Sequence, residues 1–283
     1  MNVYSFSGPS GTGKSSFALE LAHQLGVDAI IDDGLFIMNG CRKAGTSAKF
    51  EKSAFKAVKR AIFSDDAHVE EVRVALQEVQ PEKLMIIGTS DRMTIRIAER
   101  LGVGEIEHFY HIDEYRTSKQ MKMAKFIRKT EGKHIMPVPF VEVQQNFFKR
   151  LVMKGFEIFS TKKEKIGETT IVQPDFHEDL LVYKTKDFTQ SIRQVCEDSL
   201  YIMDVTKLQF TLYPLPITKL VLVYSSDETE HMDEKLYMLQ QQINQAFDEQ
   251  FEIEFDTIDL QVEHLASQKK PLKIKKQAAV VEH

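Results

Sequence analysis

Gly8, Gly11 and Gly13 fall within six residues, and Lys14, Ser15 and Ser16 stand directly behind them. Glycine is costly to order, so such a cluster implies a backbone path that side chains would block. The run Gly8-Pro9-Ser10-Gly11-Thr12-Gly13-Lys14-Ser15 fits G-x-x-x-x-G-K-[ST], in which a bare backbone turns its N–H groups around a phosphate chain. In that arrangement Lys14 reaches the β and γ oxygens and the Ser15 hydroxyl binds Mg²⁺. The helix that follows adds the positive end of its dipole. The motif therefore nominates Gly8 through Ser16 as a nucleotide-phosphate site, with ATP and Mg²⁺ as its ligands.

Such a loop needs a strand before it and a helix behind it. "NVYSF" is short, apolar and β-prone, and Phe17, Leu21 and Leu25 repeat at helical spacing up to Gly26, where a C-cap is expected. "AIID" reads as a second strand ending at Asp32 and Asp33. A basic loop, "NGCRKAGTSAK", and helical stretches from Phe50 to Phe63 and Val69 to Val79 follow it. "KLMIIGTSDR" is a strand, Met93 to Leu101 a helix, "EHFYHIDE" a strand, and a further helix runs through Phe126. The βαβα order predicts an α/β fold: a mostly parallel sheet flanked by helices, with its ligand beyond the carboxyl ends of the strands.

Magnesium at a phosphate loop needs a carboxylate at a neighbouring strand end. Three candidates compete: Asp32 with Asp33, Asp113 with Glu114, and Asp91 after "LMIIGTS". Asp113 and Glu114 read equally well as helix-capping residues. The reading favours Asp32 and Asp33, with Ser15 and Asp33 on the metal. Arg92, Arg96 and Arg100 recur at i, i+4 and i+8. Such a row is either a solvated helix face or a phosphate clamp, and Arg92 at the helix start is the one placed to reach the site. His108 and His111, three apart in a strand, point to opposite faces. No N-K-x-D guanine motif occurs, which favours ATP.

The chain has 283 residues, 42% of them hydrophobic, with a net charge of −5, so it can fill packed cores and carries no global attraction to nucleic acid. Cys41 and Cys196 form no close-spaced pair, as in a reduced chain. The N-terminus has no basic-then-apolar leader, and no apolar run approaches a membrane span. These features predict a cytoplasmic protein, peripheral to a membrane at most. The organisation read from texture is a nucleotide-binding domain over 1–160, a charged linker over 161–170, an α+β domain over 171–265 and a basic tail over 266–283. In the third segment "KLQFTLY", "KLVLVYS" and "FEIEFDTIDLQVEHL" alternate as half-buried antiparallel strands around a helix from Met232 to Phe247.

On "GPSGTGKSS" the first half resembles P-loop nucleotide kinases and ATPases, a P-loop NTPase fold. On "LQFTLYPLPITKLVLVYSSD", "EKLYMLQQQINQAFDEQF" and "FEIEFDTIDLQVEHL" the C-terminal third resembles the alkaline-shock-protein family of envelope stress proteins. That second resemblance implies a small non-enzymatic domain in an assembly near the membrane. Two functions stay open. One is a phosphotransferase or ATPase in which Lys14 and Arg92 stabilise the transferring phosphoryl group and Asp32 or Asp33 activates a small acceptor. The other is a nucleotide-dependent switch or adaptor whose C-terminal domain binds a protein partner. Either function leaves a homodimer open.

Overall fold

The protein is seen here in a computed structural model that describes residues 1–139, 152–159, 165–174 and 180–267. It divides into two compact units, Met1–Val182 and Tyr183–His283. The first is built on a six-stranded sheet. Its strands are β1 (Asn2–Ser7), β2 (Ala29–Asp32), β3 (Leu35–Met38), β4 (Cys41–Gly45), β5 (Lys83–Ile87) and β6 (Ile106–His111), in the spatial order β4-β3-β2-β5-β1-β6. From β2 across β5 and β1 to β6 the pairing is parallel, with Phe6 opposite Ile87 on one side and Tyr110 on the other.

The sheet is thus mixed, not mostly parallel throughout. The expected basic loop after β2 is two further strands, β3 and β4, which return antiparallel. Two dipeptides make them: Asp33-Gly34, between paired Asp32 and Leu35, and Asn39-Gly40, between paired Met38 and Cys41. All four turn residues have positive φ, from 47° to 89°, as two-residue hairpins of matching twist require. Gly34 admits no substitute, because a Cβ there would stand 2.7 Å from the Thr46 carbonyl.

Helices α1 (Lys14–Leu25), α3 (Asp66–Val79) and α4 (Asp91–Leu101) cover the sheet. One face packs Tyr4, Phe6, Ile30, Ile37, Met85 and Ile87 against Phe17 and Leu21 of α1. The other packs Val3, Ile31, Phe36, Leu84 and Ile86 against Val72, Ile97 and Leu101. Each fully buried side chain of this size contributes about 1.5–3 kcal/mol. These two layers hold the strand ends, and so the loop after β1, in place. A short helix α2 (Ala54–Ala61) and helix α5 (Ser118–Glu131) complete this half. So does a small antiparallel sheet of β7 (His134–Met136), β8 (Val152–Phe159) and β9 (Lys165–Val172), in the order β7-β9-β8.

That small sheet moves the domain boundary. Residues 165–170, read as linker, lie in β9, where "IGETTIV" pairs with β8 and places Thr169 and Thr170 in the interior. Hydrogen bonding to a neighbouring strand overrides their polar composition. The division falls at Val182/Tyr183. The remainder of the linker (161–164) and the tail from residue 268 lie outside the described residues.

The second unit holds α6 (Thr185–Asp198), β10 (Ile202–Thr211), β11 (Ile217–Ser225), α7 (Met232–Phe251) and β12 (Thr257–Ala266). β10 and β11 pair antiparallel, but β11 and β12 pair parallel, contrary to the antiparallel expectation. The reason is the long helix between them, which carries the chain back to start β12 at the same end as β11. Phe251, Ile253 and Phe255 alternate without forming a strand. Phe251 ends the stripe Leu239, Ile243, Phe247 on α7, and the other two are buried before β12 begins.

Candidate functional site

The Gly8–Ser16 loop leaves β1 and enters α1 at Lys14. Gly8 (φ 146°), Gly11 (81°) and Gly13 (92°) all lie at positive φ. At Gly8 the demand is also steric: a Cβ would stand 2.4 Å from Ile112 Cγ2, just past the end of β6. The backbone N–H groups of Gly11, Thr12, Gly13, Lys14 and Ser15 bond to no acceptor among the described residues, whereas those of Ser16 and Phe17 donate to the Gly13 carbonyl. Lys14 is buried and donates through Nζ to the carbonyls of Gly8 and Pro9, at 2.7 and 2.8 Å. Thr12 Oγ1 donates to Pro9 O, which tightens the same turn. Burial pushes the Lys14 ammonium down to about 8, against the attraction of Asp32 and Asp33. A desolvated cation thus stands beside five N–H groups that have no acceptor among the described residues, the make-up from which anion sites at helix N-termini are built.

Three elements meet beside it. Asp32 ends β2, Asp33 opens the turn to β3, and Lys49 sits in a short 3₁₀ turn, Ala48–Phe50. Lys49 Nζ lies 3.2 Å from Asp32, 2.9 Å from Asp33 and 3.4 Å from Ser15 Oγ. Burial raises the Asp32 carboxyl above its usual range, although Lys49 pulls it down. At Asp33 burial again pushes upward, but the Lys49 charge and hydrogen bond win, and the carboxyl sits below its usual range. The two carboxylates in turn overcome the desolvation of Lys49 and hold its ammonium above the usual value. Lys49 Nζ thus stands between Ser15 and the two carboxylates, and the Ser15 hydroxyl acts to lower the Asp32 carboxyl against the effect of burial. Asp32 is buried, and Asp33, its side chain 35% exposed, faces outward beside it.

Arg92 is not brought to this place. The buried face of α4 is Thr94, Ile97, Ala98 and Leu101, so the row Arg92, Arg96, Arg100 falls on the outer side. Arg92 is exposed, and Arg100 ties down to the Phe63 carbonyl and Asp66. The cation that does reach the loop is Arg128, in the last turn of α5. Its Nη1 donates to Ser10 Oγ at 3.2 Å, and its Cδ is 3.4 Å from where a Gly11 Cβ would be. Burial lowers its pKa, while Asp33 and Asp32 pull it back up. Sequence spacing carries no sign of this approach, because Ser10 and Arg128 are 118 positions apart.

A second polar chain crosses the carboxyl ends of β1, β5 and β6. Ser7 Oγ donates to Asp91 Oδ1 at 2.6 Å, Asp91 Oδ2 lies 3.1 Å from His111 Nε2, and His111 Nδ1 lies 3.0 Å from Glu114. Asp91 is lowered, chiefly by the Ser7 hydrogen bond, and His111 is raised, chiefly by Asp91. Asp91 and Glu114 are thus joined through His111, while Asp113 between His111 and Glu114 is exposed. His108, on the other face of β6, stacks on Tyr4.

Among the described residues no group of three or more His, Cys, Asp or Glu side chains is placed to hold a metal ion. No described helix is long and apolar enough to cross a membrane. Compared with known protein families, with curated proteins and with solved structures, the chain matches none.

Proposed function

We propose that the chain binds ATP with Mg²⁺ at Gly8–Ser16 and transfers the γ-phosphoryl group to a small acceptor or to water. The observation that carries this reading is the run from Gly11 to Ser15, whose N–H groups bond to no acceptor among the described residues, beside the buried Lys14, with Ser15 and Asp32 joined through Lys49. In this reading the loop N–H groups and Lys14 take the phosphate oxygens. Arg128, in place of Arg92, supplies a guanidinium charge at the loop through Nη1. Ser15 and Asp32 would hold Mg²⁺, whose charge would offset that of the phosphates. Asp33, partly exposed and kept ionised by Lys49, accepts a hydrogen bond from an acceptor hydroxyl and orients it. Phosphoryl transfer asks a protein mainly for positioning and charge, and these groups supply both.

The test is calorimetric titration of the wild type and Lys14→Ala with MgATP. Loss of the ammonium is expected to weaken binding by more than about 1.5 kcal/mol, roughly tenfold. Equal affinities overturn the assignment. A second reading, a nucleotide-dependent switch or adaptor, is favoured by one observation: Tyr183–His283 is a compact unit of its own. Its resemblance to the alkaline-shock-protein family would then point to a protein partner there. ATP consumption screened against nucleosides, nucleotides, sugars and acids separates the two, since only the phosphotransferase turns over faster with an acceptor.

A further inference from the structure

Arg128 is long, flexible and rich in rotamers, so its use at the loop depends on what aims it. Six residues further on, His134 opens β7, and it is 5% exposed. Between them α5 ends at Gly132, whose φ of 63° reverses the chain. A Cβ at Gly132 would also stand 3.2 Å from both Gln173 and Leu180, so the reversal depends on glycine. The reversal lays the imidazole edge along the guanidinium: Arg128 Nε is 3.0 Å from His134 Nε2, and Nη2 is 3.0 Å from Nδ1. The third nitrogen, Nη1, is left for Ser10 and the loop.

We infer that His134 is the positioning residue that aims Arg128 at the phosphate loop, with β7 and β9 as its mount. Three observations converge on this. First, a neutral imidazole has one lone pair, so the ring accepts from one of the two N–H groups at a time and fixes the plane of the fork. Second, an imidazole carries no negative charge, so it orients the guanidinium without neutralising it, whereas a carboxylate in its place would form an ion pair and compete with a phosphate for the same charge. Third, the backbone that carries the buried ring is fixed. His134 pairs with Val172 in the sheet, and Thr170 Oγ1 donates to the Val138 carbonyl at 2.8 Å, tying the chain just after β7 to the same partner strand. The small sheet in this way reaches the loop through His134 and Arg128, besides packing on α1 through Met136 and Val172.

The inference rests on the proposed phosphate site, and a double-mutant cycle in the full chain separates the two. MgATP affinity is measured by calorimetry for wild type, Lys14→Ala, Arg128→Ala, His134→Phe and Arg128→Ala/His134→Phe. Arg128→Ala and His134→Phe are each expected to weaken binding about tenfold. The double variant should be no weaker than Arg128→Ala, because the ring acts only through the arginine. His134→Gln, which keeps a neutral acceptor, should recover most of the loss. If His134→Phe fails to fold, His134→Ala takes its place in the cycle and is judged by the same additivity. Losses that add, or a His134→Phe protein that melts lower but binds MgATP as the wild type does, overturn the positioning role while leaving the loop assignment standing. A wild type that does not bind MgATP overturns both.

Discussion

The two units bury different chemistry. In Met1–Val182 the interior beside the sheet's carboxyl edge holds Lys14, Asp32 and Lys49, with Asp33 in a left-handed conformation next to them. In Tyr183–His283 the core is aromatic: Phe247 lies 4.3 Å from Phe255, 4.8 Å from Phe251 and 5.8 Å from both Phe188 and Phe210, centroid to centroid. The buried polar residues there are hydroxyls, Ser199, Thr218 and Ser225, among the described residues. Left-handed non-glycine residues occur in both units, Asp33 in the first and His231 and Glu252 in the second, so the difference lies in the buried charge, which is costly to desolvate. Among the described residues the buried charge thus lies in the first unit, and the core of the second is aromatic.

The sharpest way to break this contrast is to remove the central charge of the first unit. Lys49→Met would leave Asp32 and Asp33 without their cation, and breaking such a buried pair costs about 3–5 kcal/mol. Urea unfolding of the full chain should show that loss in the transition belonging to the first unit. Adding Asp32→Asn should recover part of it, since the remaining amide carries no charge. A Lys49→Met protein as stable as the wild type would mean that the two carboxylates are solvated and the buried cluster is not as described.

In the second unit the equivalent break is apolar. Phe247 has no exposed surface, and Phe247→Ala is expected to cost about 3–5 kcal/mol through lost contacts and an unfilled cavity. MgATP affinity should not change. A fragment of residues 183–267 should melt cooperatively by itself, with a Phe247→Ala fragment melting well below it. An unfolded fragment, or a Phe247→Ala chain that loses nucleotide affinity, would end the claim that the units are separate in stability and in role.

The first of these regions was largely legible in the sequence where local pattern governs it. Strand, glycine loop and helix at Asn2–Leu25 follow from periodicity and the spacing of Gly8, Gly13, Lys14 and Ser15. The hairpins of β3 and β4 were legible too, in Asp33-Gly34 and Asn39-Gly40, but the density of Arg42, Lys43 and Lys49 suggests a basic loop instead. Hairpin turn chemistry outweighs charge there. Arg128 and His134 carry no motif. Their partners come from a helix end and a sheet register that only the assembled fold sets. Asp91 opens α4 after β5 and His111 ends β6, and the link between them needs both strands to flank β1, which no local signal states. In the second unit the same limit applies to β12, because alternation marks a strand but not its direction.

The smallest expected effect concerns that link. His111 bridges Asp91 and Glu114 at the sheet edge, with about two-fifths of its side chain exposed. Its pKa is raised above the ordinary 6.5, first by the Asp91 hydrogen bond and then by Glu114, so the folded state holds the proton more tightly than the unfolded chain. The stability this contributes is full below pH 6.5 and fades as pH rises through the raised value. Asp91 is shifted the other way, below the ordinary 3.8, by Ser7 first and His111 second. Its contribution is full above that value and is lost as pH falls through the lowered one. The bridge is therefore strongest in the window between, and solvent screening keeps it below about 1 kcal/mol. Between about pH 6 and pH 9 the wild-type melting temperature should fall by roughly 2 °C more than that of His111→Gln, which has no proton to lose. The variant should match the wild type at the alkaline end. Parallel pH curves for the two proteins would show that His111 is no bridge, and the edge of the sheet beside the loop would then be held by β-pairing alone.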